Sequence, residues 1–175
     1  MLDGFERLRS RFDGLVLILA PRHLNRVGQI ERELTTRRIG YTKRTDGSSA
    51  PFRGPVLLLD TMGELSTVYA AADVAFVGGS LFPIGGRGHN PLEPAAAGAP
   101  VLFGPYMQQE GSRLLVLRGA AARVADAQQF AEEVARLLAD PDERDRRAAA
   151  ARSVVLEGQG AARRTVELLR ERGII

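Results

Sequence analysis

The sequence predicts an α/β fold, a Rossmann-like, doubly wound parallel sheet forming a single domain over residues 1–175. Three observations predict it. Strand-like runs at residues 15–20, 56–59 and 73–77 alternate with segments whose apolar residues recur at helical spacing. The chain leaves each run through a Pro-, Gly- or polar-rich stretch, where parallel sheets place their ligand-binding loops. Residues 77–104, VGGSLFPIGGRGHNPLEPAAAGAPVLFG, read as strand, glycine-rich loop, helix and strand, a complete βαβ unit.

In order, Phe5, Leu8 and Phe12 mark a first helix that should stop near Asp13-Gly14, before a buried strand at 15–20. Val27, Ile30 and Leu34 mark the next helix, with Gly40 expected at its C′ position. Residues 41–45 form a short strand and residues 46–51 a turn-rich loop without visible chemistry. The strand at 56–59 runs through Asp60-Thr61-Met62-Gly63-Glu64-Leu65 into a helix reaching Tyr69 and Ala72. After the βαβ unit come a helix over 107–117, a strand over 121–125, and an amphipathic helix carrying Phe130, Val134, Leu137 and Leu138. Helices over 143–156 and 161–172 close the chain, the last ended by Gly173.

Composition narrows the function classes. A chain of 175 residues buries a real core but is too short for two full α/β domains. Without cysteine it has neither disulfides nor thiolate metal sites, which suits the cytosol. The longest apolar run, 15–20, is far short of the roughly 20 residues that cross a bilayer, so a soluble chain is expected. Net charge is only +3, and the arginines alternate with carboxylates and have no aromatic platform beside them, which argues against a nucleic-acid partner. Residues 61–120 hold seven charged side chains against 18 before and 20 after, so the middle should be most buried and its carboxylates, Glu64 and Glu93 among them, need a reason.

The glycine loop supplies a first ligand class. Gly78, Gly79, Gly85, Gly86 and Gly88 stand before a helix mouth, where free N–H groups and the helix dipole favour a phosphate. The spacing fits neither a Walker loop nor G-x-G-x-x-G. Asn90-Pro91-Leu92-Glu93 is also a capping box, so Glu93 either caps its helix or holds a pair of ligand hydroxyls. Thr61 and Glu64 repeat the pattern and the ambiguity. At the end of the first strand Arg22 suits an anion, with a surface role as its alternative, and His23 is open between ligand and incidental surface residue. Asp140-Pro141-Asp142 has the form of a D-x-D metal motif but reads as a helix start, Asp140 as N-cap and Pro141 at N1.

Together, Ala20-Pro21-Arg22-His23, Asp60-Thr61-Met62-Gly63-Glu64-Leu65, Phe76-Val77-Gly78-Gly79-Ser80-Leu81 and Gly88-His89-Asn90-Pro91-Leu92-Glu93-Pro94-Ala95 resemble, in order and spacing, the C-terminal half of bacterial 3-deoxy-D-manno-octulosonic acid (Kdo) transferases. The resemblance implies the C-terminal, donor-binding domain of a GT-B glycosyltransferase, with CMP-Kdo or CMP as ligand and no cofactor or metal. It implies donor contacts at Pro21, Arg22, His23, Met62, Gly63, Glu64, Gly79, Ser80, Gly86, His89, Asn90 and Glu93. Arg22 would lie near the phosphate and carboxylate, the Met62-Gly63-Glu64 turn around the cytidine, and Asn90 and Glu93 at phosphate and ribose. The family's histidine usually follows its glycine pair directly, whereas Arg87-Gly88 intervenes here. No catalytic residue is expected in this chain. The general base, the acceptor site for a lipid A precursor and the surface facing the bacterial inner membrane, on its cytoplasmic side, would belong to an N-terminal GT-B domain absent from it. The alternatives are a domain of another GT-B enzyme, a UDP-sugar transferase or epimerase, or a stand-alone nucleotide-binding module without catalysis.

Overall fold

The computed structural model describes residues 1–47, 54–83 and 88–174. In chain order the elements are α1 (Leu2–Arg9), β1 (Leu17–Leu19), α2 (Val27–Thr36), β2 (Tyr41–Lys43), β3 (Val56–Leu58), α3 (Leu65–Ala70), β4 (Ala75–Val77), α4 (Leu92–Ala97), β5 (Val101–Phe103), α5 (Ser112–Leu117), β6 (Ala121–Arg123), α6 (Ala127–Ala139), α7 (Pro141–Gly158) and α8 (Ala161–Glu171). Short 3-10 turns occupy Leu24–Arg26 and Arg44–Asp46. Every strand pairing is parallel, in the orders β1-β3-β2 and β4-β5-β6, so the α/β class expected from the strand and helix periodicities is the one observed.

The chain divides into two compact units, Met1–Val68 with Ala127–Ala135, and Tyr69–Asp126 with Arg136–Ile175. In the first, Phe5, Leu34, Ile39 and Val56 form a buried cluster joined by Leu17, Leu19 and Tyr41. Residues 15–20 are expected as a buried strand, yet β1 is only half-buried, because β3 lies between β1 and β2 and takes the covered place in that sheet, with Val56 and Leu58 at 0% exposure. The C′ position of α2 falls to Arg38 rather than Gly40. Arg38 is left-handed at φ 55, its N–H bonds the Thr35 carbonyl, and the Ile39 N–H bonds the Leu34 carbonyl at 2.9 Å. That double bond is a Schellman closure, and burial of both Leu34 and Ile39 outweighs the cost of a non-glycine residue at positive φ.

The second unit is the drier. Val101, Leu102 and Phe103 of β5 are wholly buried, and Val77, Ala95, Leu115, Ala121, Ala151 and Val154 pack with Val101 and Phe103, as the scarcity of charge across 61–120 requires. Ala148, Ala151 and Val154 give α7 a buried stripe, and α4 and α5 pack against this helix. The helix expected over 107–117 begins only at Ser112, because Gly111 before it is left-handed at φ 81 and interrupts a right-handed helix. The loop expected at 46–51 lies outside the described residues from residue 48 onward. Among the described residues no helix is long and apolar enough to cross a membrane.

Candidate functional site

In the first unit the parallel register sets three chain segments at one end of the sheet. Leu19 pairs with Leu58 and Lys43 with Leu58, so Ala20-Pro21-Arg22-His23, Arg44-Thr45 and Leu59-Asp60 leave adjacent strands side by side. Arg22 and His23 are exposed there. His23 is extended at φ −116, and its carbonyl accepts the Arg26 N–H that closes the 3-10 turn before α2. Met62 is 72% exposed and Gly63 is left-handed at φ 86, so the pair forms the open crest of the Asp60–Glu64 turn.

Glu64 differs from its expected capping role. The helix α3 starts at Leu65, so Glu64 precedes it instead of occupying its third position, and the Thr61 hydroxyl donates to the Glu64 carboxylate itself, at Oε2. Arg44 Nε and Nη2 each reach Glu64 Oε1 at 3.0 Å. The Thr61 hydroxyl, followed by Arg44, holds the Glu64 carboxyl below the usual carboxylate range. Burial pushes Asp60 up, and the hydroxyl and N–H of Thr45 more than reverse this, leaving Asp60 below its ordinary value as well.

In the second unit the glycine loop is closed at its base. Gly88 N–H bonds the Gly79 carbonyl at 3.0 Å and His89 N–H bonds the Gly78 carbonyl at 3.1 Å. Gly88 is left-handed at φ 78, where glycine is favoured, and a Cβ there would stand 2.5 Å from Met107 Sδ, a flexible side-chain end that would have to move. Gln109 Nε2 donates to the Gly88 carbonyl at 2.8 Å. Gly86, expected among the donor contacts, lies with residues 84, 85 and 87 outside the described residues.

Ser80 is expected to touch the donor, and its side chain is placed otherwise. It is 0% exposed; its hydroxyl donates to the Val77 carbonyl at 2.7 Å and accepts the Gly104 N–H at 2.8 Å. The strand-end glycine makes this possible, because a Cβ at Gly104 would fall 2.2 Å from the Ser80 carbonyl oxygen. Ser80 therefore joins the end of β4 to the end of β5 and gives the loop a fixed root. Gly79 is left-handed at φ 71, with the His89 imidazole 3.4 Å from where its Cβ would be.

Before α4 the N-cap expected of Asn90 falls to Pro91, which has no side-chain cap bond; Asn90 Oδ1 instead accepts the Leu92 N–H at 3.0 Å across Pro91, as in an Asx turn. Glu93 does not complete the box through the backbone; its Oε1 accepts the Asn90 side-chain amide at 3.2 Å. Both side chains are exposed. Tyr69, not singled out by sequence, has its phenol pKa raised by burial and by the charge of Glu93. Arg44, Thr45, Met107 and Gln109 were likewise missed; the strand-end rule applied to the short strand at 41–45 would have drawn attention to the first two. Asp140 caps α7, accepting the Glu143 N–H at 2.9 Å, with Pro141 in the first turn, so the D-x-D pattern is a helix start as expected.

The first unit offers an anion the exposed Arg22 at its sheet end; the second, taken by itself, offers the mouth of α4 and one exposed, oriented carboxylate, Glu93, suited to a hydroxyl pair. Its relatives sharpen the chemistry. The family model described as glycosyl transferase-like matches residues 64–170. The chain is 39% identical over 161 residues to a 3-deoxy-D-manno-octulosonic acid transferase of Bordetella pertussis, covering 89% of this chain and 37% of the relative. It is 34% identical over 173 residues to the transferase of that name from Haemophilus influenzae, covering 97% of this chain and 40% of the relative. It thus spans about two fifths of the length of these curated relatives. Among solved structures it is similar to the C-terminal CMP-Kdo binding domain of WaaA from Acinetobacter baumannii, with a TM-score of 0.79 and 31% identity, covering 88% of this chain and 80% of that one.

Proposed function

Since the chain belongs to the glycosyl transferase-like family, as a homologue of the Kdo transferases, we propose that it is one domain, the CMP-Kdo-binding part of an inverting, metal-independent Kdo transferase acting on a lipid A precursor. The observation that carries the proposal is its likeness, over 88% of its length and at 31% identity, to a CMP-Kdo binding domain.

In this reading Arg22 faces the donor's phosphate and carboxylate, Pro21 and His23 flank it, and the mouth of α4 at Asn90 receives the phosphate. Glu93 accepts the ribose hydroxyls. The Met62-Gly63 crest lies against cytosine, and Gly79, Gly86 and His89 line the sugar. During transfer the acceptor hydroxyl attacks the anomeric carbon of Kdo from the face opposite the nucleotide. The bond from that carbon to the phosphate oxygen breaks, and CMP leaves with the electron pair while Arg22 and the α4 mouth stabilise its growing charge. The acceptor's proton passes to a base in an N-terminal domain, which also carries the acceptor site and the contact with the cytoplasmic face of the inner membrane. No metal is required, because cationic and backbone donors supply the countercharge.

Calorimetric titration of the 175-residue chain with CMP and UMP tests this. CMP should bind at least about tenfold tighter, the worth of one base-reading hydrogen bond. Equal or tighter binding of UMP would transfer the chain to UDP-sugar chemistry.

A further inference from the structure

The turn after β3 is tied at both ends to the segment after β2. Asp60 Oδ1 accepts the Thr45 N–H at 3.0 Å and Asp60 Oδ2 accepts the Thr45 hydroxyl. Three residues beyond the next hydroxyl, Glu64 takes Arg44 through Oε1 and Thr61 through Oε2. Both oxygens of both carboxylates are thus engaged within the protein. Between them Met62 and Gly63 are exposed, and open space lies where a Gly63 Cβ would stand. The Lys43 N–H accepted by Asp46 at 2.9 Å keeps the 3-10 turn that presents Arg44 and Thr45.

We propose that Arg44 and Thr45 are positioning residues of the nucleotide site, clamping the Asp60–Glu64 turn so that the Met62-Gly63 crest, rather than the Glu64 carboxylate, meets the base. The proposal rests on the CMP-Kdo reading above and goes beyond it in assigning Glu64 a bracing role. Stability alone is a poor reason for the clamp. The side chains of Arg44 and Glu64 are 45% and 36% exposed, and ion pairs so open to water contribute little to folding. What the pair does contribute is direction: two guanidinium nitrogens on one carboxylate oxygen, with a hydroxyl on the other, leave Glu64 a single orientation. The lowered pKa values of Glu64 and Asp60 agree, since these donors favour the ionised carboxylates.

CMP and UMP titrations and thermal melts of the 175-residue chain, unaltered and as Arg44→Ala, Arg44→Lys, Thr45→Val, Glu64→Gln and the Arg44→Ala/Glu64→Gln double variant, test the clamp. Arg44→Ala should weaken CMP binding roughly tenfold, the middle of the range for a coupled polar pair, and should narrow the preference for CMP over UMP. Its melting temperature should hardly move. Arg44→Lys should recover most of the loss, Thr45→Val should show a smaller one, and the double variant should bind no more weakly than the weaker single. Unchanged affinity and base preference in Arg44→Ala would overturn the clamp, and so would additive losses in the double variant, which would mean that Arg44 touches the nucleotide itself. A loss shared equally by CMP and UMP and matched by a lower melting temperature would reduce Arg44 to a structural residue. Failure of the unaltered chain to bind either nucleotide would overturn the donor-site reading and the clamp with it, an outcome distinct from all of these.

Discussion

Asn90 holds the first N–H of α4 with one end of its amide and steers Glu93 with the other: Oδ1 takes the Leu92 N–H at 3.0 Å and Nδ2 donates to Glu93 Oε1 at 3.2 Å. The capping and ligand roles that share this helix mouth are therefore divided between two residues. Glu93→Gln and Glu93→Ala should both leave stability nearly unchanged, while Asn90→Ala should lose about 0.5–2 kcal/mol. If Glu93 holds the ribose, Glu93→Gln should weaken CMP binding by about 1.5–3 kcal/mol. Thermal melts and CMP titrations of the three variants, with 2′-deoxy-CMP as a ligand lacking one hydroxyl, separate the roles. Undiminished CMP affinity in Glu93→Gln would refute the ribose contact.

The root of the glycine loop should be the least tolerant point in the second unit. Ser80→Ala removes the acceptor of the buried Gly104 N–H and should cost about 1–3 kcal/mol. Gly104→Ala drives a Cβ into the Ser80 carbonyl, where backbone must move, and should cost on the order of 4 kcal/mol or prevent folding. Urea unfolding of both variants checks the ranking; a Gly104→Ala protein as stable as the parent would contradict the packing described.

Glu143 contributes to the acid limb of stability. Arg136, Arg146 and Arg147 donate to its carboxylate and lower its pKa from 4.5 to about 2. A carboxyl depressed on folding stabilises the native state above its unfolded pKa, and that contribution fades as pH falls from about 4.5 through about 2. Glu143→Gln should lower the melting temperature at pH 7 and converge with the parent near pH 2. Parallel curves over that window would show that the arginines do not couple to this carboxyl.

Asp140 separates a helix cap from a metal ligand. Asp140→Ala should lose about 0.5–2 kcal/mol of stability through the cap on Glu143 while CMP affinity stays as it was, with or without a chelator. A collapse of CMP binding in EDTA, or in Asp140→Ala at full stability, would restore the metal reading of Asp140-Pro141-Asp142.

Local pattern in the chain was enough for the parallel α/β class, the strand-end positions of Arg22 and the Asp60–Glu64 turn, and the helix start at Asp140. Each depends on local causes: residue periodicity, a cap three residues from its target, a glycine or proline that stops an element. Only the tertiary structure decided which atoms the candidate residues spend on the protein. Arg44 meets Glu64 across 20 residues, Gln109 meets Gly88 across 21, and Ser80 meets Gly104 across 24. In the same way Arg38 took the helix end expected of Gly40 because Leu34 and Ile39 found a common core. These pairings follow from how parallel strands are registered and how their loops close, and the hydrogen-bond partners of a strand end are set by the neighbouring strand, whose distance along the chain no local pattern records.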